Sequence, residues 1–416
     1  MTAAPGRLVI RNARVAGFAP GPKRRADLDA LPVIPRADVT IDDGRIKSVR
    51  EVKPTTRRAL IDPADPAEID ANGRVLIPGL VDCHTHLCWA GQRLDEWEAK
   101  RRGVPYLEIL RRGGGIMATV RAVREASVES LAADLLARAR LMLANGSTTI
   151  EVKSGYGLTT DAELKMLRAV RLAQQSFPGT LVPTALLGHA IDEAQPGFVG
   201  VTVRQTLPAI AAEFPGIAVD AFCEQGAWSL EQCVLLFNRA RELGLPIRIH
   251  ADQFNSLGAV PAALRLDARS IDHLESSSRE DLALLAAAPN TAGVMLPACG
   301  FHLDGRYARG RRFVQDGGLL AIATNCNPGS APCFSMPMVM ALAVRHLGLS
   351  FAEAFAAATV NPAHVLHLRD RGSIAPGLRA DLLLLRHTDE RALAFEFGAS
   401  PVDLAICNGA VAWRAA

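Results

Sequence analysis

The sequence predicts an α/β fold: a (β/α)8 TIM-like barrel over residues 78–369 and a small β-sandwich domain built from both chain ends, 1–77 and 370–416. Two observations carry this expectation. Eight apolar, strand-like segments recur between residues 80 and 323, each followed by a helical stretch. Toward both termini the pattern changes to short strands broken by turn residues. Strand–helix alternation is the signature of a parallel sheet wrapped by helices, and eight such units suffice to close it.

In chain order, 7–15 and 38–50 read as strands, with Asp43-Gly44 as a hairpin turn, and 68–77 carries a second turn at Asn72-Gly73. At the other end, 372–385 and 404–413 read alike, with turns at Pro376-Gly377 and Asn408-Gly409. The barrel strands are expected at 80–86, 148–153, 181–187, 219–223, 246–250, 270–273, 291–296 and 319–323. Helices are expected at 130–145, 161–176, 204–214, 230–244, 256–266 and 279–288. Several begin at Ser, Thr or Asp, and Gly146 and Gly244 follow two of them as stop signals. No G-x-G-x-x-G loop follows the first barrel strand, which disfavours a dinucleotide-binding open sheet. Gly113-Gly114-Gly115 reads as a mobile loop.

The charge balance, 46 basic against 43 acidic residues, demands neither nucleic acid nor an anionic membrane as partner. Basic runs at Lys23-Arg24-Arg25, Lys100-Arg101-Arg102 and Arg111-Arg112 read as solvated surface. The eight cysteines form no C-x-x-C pair, and several sit in apolar runs, as buried thiols of a reducing cytosol do. A structural zinc site at Cys83 and Cys88 fits poorly, because Cys83 alternates to the face opposite His84. There is no apolar signal core or bilayer-spanning run, so a cytoplasmic enzyme is expected.

The chemistry begins at VLIPGLVDCHTHLCWAGQR, from Val75 to Arg93. His84 and His86 are two residues apart, and in an extended chain such positions share a face. Both imidazoles then reach one point at a strand end, which suits a first-row metal. In a barrel, reactive groups collect at the C-terminal strand ends. There the sequence places Glu151-Val152-Lys153-Ser154-Gly155-Tyr156-Gly157, His189, Glu224, His250-Ala251-Asp252-Gln253, Asp272-His273-Leu274-Glu275 and Thr324-Asn325-Cys326-Asn327-Pro328-Gly329-Ser330. Histidines after strands one, three, five and six point to one shared metal site. Ser154 has no recognisable triad partner.

These residues resemble the amidohydrolase superfamily of metal hydrolases, through H-T-H after strand one, His after strands five and six, and the polar turn after strand eight. More narrowly, PGLVDCHTHLCWAGQR, EVKSGYGL, LLGHA, HADQFNSLGA, DHLE and NPGS resemble the imidazolonepropionase family across essentially the whole chain. The resemblance implies a hydrolase of histidine degradation that opens the cyclic amide 4-imidazolone-5-propanoate to N-formimidoyl-L-glutamate. It implies one zinc or iron ion per chain on His84, His86 and His250, with Asn325 at the position of a further ligand. The metal lowers the pKa of water towards about 7. His273 is expected to stabilise an oxyanion or move a proton. Arg93, a planar fork, is expected to hold the propionate, with Tyr156 and Tyr106. His189 and Gln253 are expected at the ring, and Asn327, Gly329 and Ser330 at substrate or product.

One position departs from the family. Asn325 stands where imidazolonepropionases have Asp, and an amide cannot carry charge or act as an ordinary base. Asp252 shares the face of His250 in an extended segment, with ligation, support or pairing with Arg248 as its options. Three readings follow: an active variant enzyme, another amidohydrolase such as a heterocycle deaminase, or a lapsed enzyme that binds ligand. A homodimer is implied by the resemblance alone.

Overall fold

In the computed structural model, which describes residues 6–53, 67–104, 108 and 113–416, the strands form two sheets of eight. The first half of the end sheet is β1 (Leu8–Ala16), β2 (Val33–Asp42), β3 (Arg45–Glu51), β4 (Glu68–Asp70) and β5 (Val75–Pro78). The barrel strands are β6 (Leu80–Asp82), β7 (Ser147–Lys153), β8 (Thr180–Gly188), β9 (Ala218–Cys223), β10 (Ile249–Ala251), β11 (Ser270–His273), β12 (Ala292–Met295) and β13 (Leu320–Ile322). The chain then returns to the end sheet through β14 (Leu382–Leu385), β15 (Val402–Cys407) and β16 (Ala410–Arg414).

The barrel strands pair in parallel and in sequence order from β6 to β13, each of them one of the eight expected segments. Its first and last strands meet above the ladder. Asn325 N–H donates to His84 O and His86 N–H to Cys326 O, both at 3.0 Å, and Thr324 Oγ donates to Asp82 Oδ2 at 2.6 Å. This is why β6 stops at Asp82 rather than at residue 86: the backbone beyond it is already bonded to the eighth strand's loop. The fifth strand's regular ladder begins at Ile249, although Val219 N–H of β9 already donates to Pro246 O at 2.8 Å and Arg248 N–H to Val219 O at 2.9 Å. Ser229 and Ser278 cap helices Leu230–Glu242 and Arg279–Ala287 as anticipated.

The end sheet runs β16-β15-β14-β5-β1-β2-β3, with β4 also on β1. Its hairpin turns have positive φ at Asp43, Gly44, Asn408 and Gly409, as two-residue hairpin turns require. Asn72 and Gly73, also at positive φ, link β4 to β5 along β1 instead, both running parallel to it. The sheet curls until two turns touch: a Cβ on Gly409 would stand 2.9 Å from Gly44 Cα. The enclosed core is aliphatic, including Ile10, Val39, Ile41, Leu382, Leu404 and Ile406.

All eight cysteines are free, and seven are buried. Cys83 packs with Ala292, Val294 and Ala321. Among the basic runs, Arg24 is not simply solvated: it donates to Gly317 O at 2.8 Å and Ala288 O at 2.9 Å. Arg111-Arg112 lies outside the described residues. No described helix is long and apolar enough to cross a membrane.

Candidate active site

His84, His86, His250 and His273 converge at the C-terminal mouth of the barrel, none more than 4% exposed. Each of two rings is fixed by a carboxylate. His84 Nδ1 donates to Asp272 Oδ2 at 2.6 Å, and His250 Nδ1 to Asp220 Oδ1 at 3.1 Å. These bonds select the tautomer with a free Nε2 lone pair, the usual support of a metal-bound histidine. His84 Nε2 is buried without a partner, and His250 Nε2 stands 3.2 Å from His86 Nε2. A tetrahedral ion with nitrogen ligands at about 2.0–2.1 Å needs ligand separations of about 3.3 Å. Ring nitrogens of His84, His250 and His273 also lie within 4.8 Å of one another. Asn325 Oδ1 is buried and unpartnered in the adjoining loop. The donor set therefore fits a divalent metal.

Electrostatics agree. Burial pushes the His84 and His86 rings well below the ordinary histidine range, and that of His250 down too, though Asp220 opposes the last. Neutral imidazole is the form that binds metal. Beneath the rings lies a fully buried ionic network that sequence reasoning missed. Lys153 Nζ donates to Glu151 Oε1 at 2.8 Å and Asp220 Oδ2 at 2.7 Å. Arg248 donates to Glu151 Oε1 at 3.2 Å and to Asp272 Oδ2 at 2.7 Å. Three carboxylates against two cations leave one net negative charge under neutral rings, a field that favours a cation. For Asp220, burial raises its pKa, but His250 and Lys153 outweigh this and hold it well below the usual range. The residues involved alternate along β7 and stand at neighbouring strands. Their i, i+2 spacing at 151 and 153 was the available signal.

Arg93 heads the helix Leu94–Arg101. Its Nε donates to Glu96 Oε2 at 2.8 Å, and its Nη2 to Glu96 Oε1. The same Glu96 accepts from Gly115 N–H at 2.9 Å, so the glycine run expected to be mobile is anchored at its last residue. The guanidinium lies over the eighth loop: a Cβ on Gly329 would come within 2.2 Å of Nη1, which explains glycine there. Tyr156 and His189 stand beside the histidines. His86 and His189 stack with centroids 4.9 Å apart, and Tyr156 is 5.0 Å from His189. Burial, then His250, pushes the His189 pKa down to about 3. Gly155, at φ +110°, lets its carbonyl approach His189 Nδ1 at 3.0 Å. Glu163 holds this loop by accepting from Gly155, Gly157 and Leu158 N–H at 2.7–2.8 Å.

The remaining expected residues are distributed less uniformly. Gln253 is buried, with Nε2 3.3 Å from Cys299 Sγ. His273 Nδ1 is 3.3 Å from Glu275 Oε1. Asn327 spends its side chain inside its own turn, where Oδ1 accepts from Gly329 N–H at 2.8 Å and Ser330 N–H at 2.7 Å. It shapes the loop that carries Gly329 and Ser330. Tyr106 lies outside the described residues. Asp252 does not share the face of His250, because φ +56° turns it away; it accepts from Ser277 Oγ at 2.7 Å, and Arg248 pairs elsewhere. Left-handed backbone recurs at His273, Leu274 and Asn325. Such non-glycine conformations cost about 1–3 kcal/mol each and gather at working sites.

Known proteins place this site in context. The sequence profile of the Amidohydrolase family matches residues 75–412. An imidazolonepropionase of Deinococcus deserti is 44% identical over 386 residues, covering 92% of this chain and 94% of its own. One from Herpetosiphon aurantiacus is 40% identical over 420 residues, covering 98% and 97%. Among solved structures, 5-methylcytosine deaminase from Klebsiella pneumoniae liganded with phosphonocytosine superposes with a TM-score of 0.74 at 18% identity, covering 98% of each chain. N-isopropylammelide isopropylaminohydrolase from Burkholderia multivorans gives 0.70 at 20%, also covering 98% of each. At such identities these structures speak for the shared barrel alone. With the profile spanning most of the chain and relatives of one name matching nearly all of it, the chain belongs to the amidohydrolase family and, within it, to the imidazolonepropionases.

Proposed function

We propose that the chain hydrolyses 4-imidazolone-5-propanoate to N-formimidoyl-L-glutamate, as a step of histidine degradation. Among the structural features, the convergence of His84, His86 and His250 over a net negative buried network carries the reading furthest. It is read together with relatives named for this activity. The reaction adds water across the ring amide: oxygen bonds to the carbonyl carbon, the C–N bond breaks, and the nitrogen gains a proton. One zinc or iron ion would be held by His84, His86 and His250, with the Asn325 carbonyl oxygen as a further donor. When bound, that ion supplies a Lewis acid that polarises a carbonyl and lowers the pKa of water towards about 7.

The protein's own groups do the rest. Asn325 cannot accept a proton as a carboxylate would, so proton handling falls to His273, oriented through Nδ1 by Glu275 at 3.3 Å. Gln253 and His189 contact the ring. Arg93 binds the propionate; Glu96 holds Nε and Nη2, leaving Nη1 over Gly329 to face the ligand. Tyr156 closes around the same carboxylate, and Ser330 and the Asn327 turn complete the wall; Tyr106 is assigned to the carboxylate by family resemblance alone. The free cysteines fit a reducing cytoplasm.

The test is turnover of 4-imidazolone-5-propanoate with metal content measured on the same sample. Turnover with about one ion per chain, both lost in His84→Ala/His86→Ala, is the expected result. Full metal occupancy in that variant sinks the ligand assignment. Asn325→Asp is expected to change kcat by less than tenfold. A natural protein that is inert, and revived by three orders of magnitude on that substitution, would instead be a lapsed enzyme.

A further inference from the structure

At the opposite end of the barrel from the histidines lies a cavity of about 270 Å³. Its walls are apolar: Val182 on β8, Phe214 and Ile217 ahead of β9, and Val365 and Leu366 at the end of helix Val360–Val365. Pro215 and Gly216 at its rim are exposed, so it opens to solvent. Two arginines also line it, Arg248 and Arg269. Arg248 is fully buried and already committed to Glu151, Asp272 and Ser270. Arg269 is half-buried, and no described side chain or carbonyl accepts from its guanidinium.

That arrangement is costly without a ligand. A guanidinium half-withdrawn from water beside a second one meets no acceptor among the described residues to offset the loss. Burial, then Arg248, holds the Arg269 pKa down at about 10. Arg248, the other arginine of the chamber, has its acceptors; among the described residues the Arg269 guanidinium has none. A largely apolar chamber with a few charged groups at fixed places, one of them uncommitted, is the usual make-up of a small-molecule site.

We propose that the barrel floor binds a small amphiphilic carboxylate, its charge on Arg269 and its apolar body between Phe214, Ile217, Val182 and Val365. The volume limits the ligand to fragment size, just below the usual range of ligand pockets. A carboxylate matches the guanidinium fork, and the apolar walls disfavour a fully hydrated inorganic anion. The site is separate from the chemistry: Arg269 precedes β11 and His273 ends it, about 13 Å apart at about 3.3 Å per residue.

The probe is hexanoate, titrated calorimetrically into metal-loaded protein, with 1-hexanol and inorganic phosphate as controls. Because Arg93 is itself proposed to hold a carboxylate, Arg93→Met is titrated in parallel. Hexanoate is expected to bind one site that survives Arg93→Met. Arg269→Met, or Val182→Phe filling the chamber, should weaken that site at least tenfold, with turnover unchanged in both. Hexanol and phosphate should each bind at least tenfold more weakly than hexanoate. Melting curves identify a variant that has not folded, and the two act on different walls, so either alone carries the test. Hexanoate binding that disappears with Arg93→Met, or that is unchanged in folded Arg269→Met or Val182→Phe, overturns the site. Phosphate binding as tightly as hexanoate overturns the amphiphilic class.

Discussion

The end sheet and the barrel sheet each hold eight strands, yet their interiors differ in kind. The end sheet encloses aliphatic side chains that need only be packed. The barrel encloses Glu151, Lys153, Asp220, Arg248 and Asp272 together with four histidines, almost wholly removed from water. Burying a charge is favourable only when partners meet it, so the barrel interior works as a set of mutual obligations. The comparison teaches where function was built. Removing apolar bulk from the end sheet should affect stability alone. Removing one member of the barrel network should strand another and reach the chemistry.

The largest expected effect is on that chemistry. His273→Ala should lower kcat by about 10²–10⁴ with metal content retained. Activity within tenfold of the natural protein would remove His273 from proton handling and make the barrel's polarity mainly a metal holder.

Next comes stability. Lys153→Met leaves Glu151 and Asp220 facing one another without their shared cation, and should cost about 3–5 kcal/mol in urea unfolding. Leu404→Ala in the end sheet should cost about 2–5 kcal/mol through its cavity. The two regions separate in the second step. Adding Asp220→Asn should recover part of the Lys153→Met loss, because it removes the stranded charge. No neighbouring substitution to Asn should rescue Leu404→Ala. Strict additivity in both regions would dissolve the distinction.

Arg93→Ala should lower kcat/KM by about one to two orders of magnitude, since a charge-assisted bond is worth about 1.5–3 kcal/mol. Arg93→Lys should recover only part, for want of the fork. Unchanged kinetics in both would confine Arg93 to its pairing with Glu96.

A separate effect, not on chemistry, is on acid stability of metal-free protein. Histidines whose pKa is lowered on folding take up protons in the unfolded chain first. Stability is therefore present above the unfolded value of about 6.5 and falls as pH drops below it. His189, held at about 3, alone should contribute a loss of about 2 kcal/mol by pH 5. His84 and His86 act with the same sign. The aliphatic core of the end sheet contains no histidine, so the acid-labile contribution should belong to the barrel. Melting temperatures that stay flat from pH 7 to 5 would contradict this.

Much of this site is legible from local spacing. His84 and His86 share a strand end, and their neighbours at 250 and 273 emerge once eight alternating units are counted. Arg93 follows the same loop. Other features are not. The carboxylate behind His84 is 188 residues away, and that behind His250 is 30 away. Asp252 looked like a partner of His250 because an extended backbone was assumed; a single left-handed residue rotates it to Ser277. Asn327 was expected at the ligand; that its side chain also bonds Gly329 and Ser330 within its own turn could not be read from spacing.

What the sequence determined by itself was whatever depends on a few consecutive residues: the strand–helix alternation, the Asn-Gly and Asp-Gly turns, and the histidine pair. Only the tertiary structure decided which buried acid supports which imidazole, that Arg93 and the Gly115 N–H share Glu96, and that Arg269 meets no acid among the described residues. The physical reason is register. Periodicity says which face a side chain takes within its own strand. The stagger between strands, set by closing the barrel, says which residues from distant segments stand at the same height, and charges interact across that height rather than along the chain.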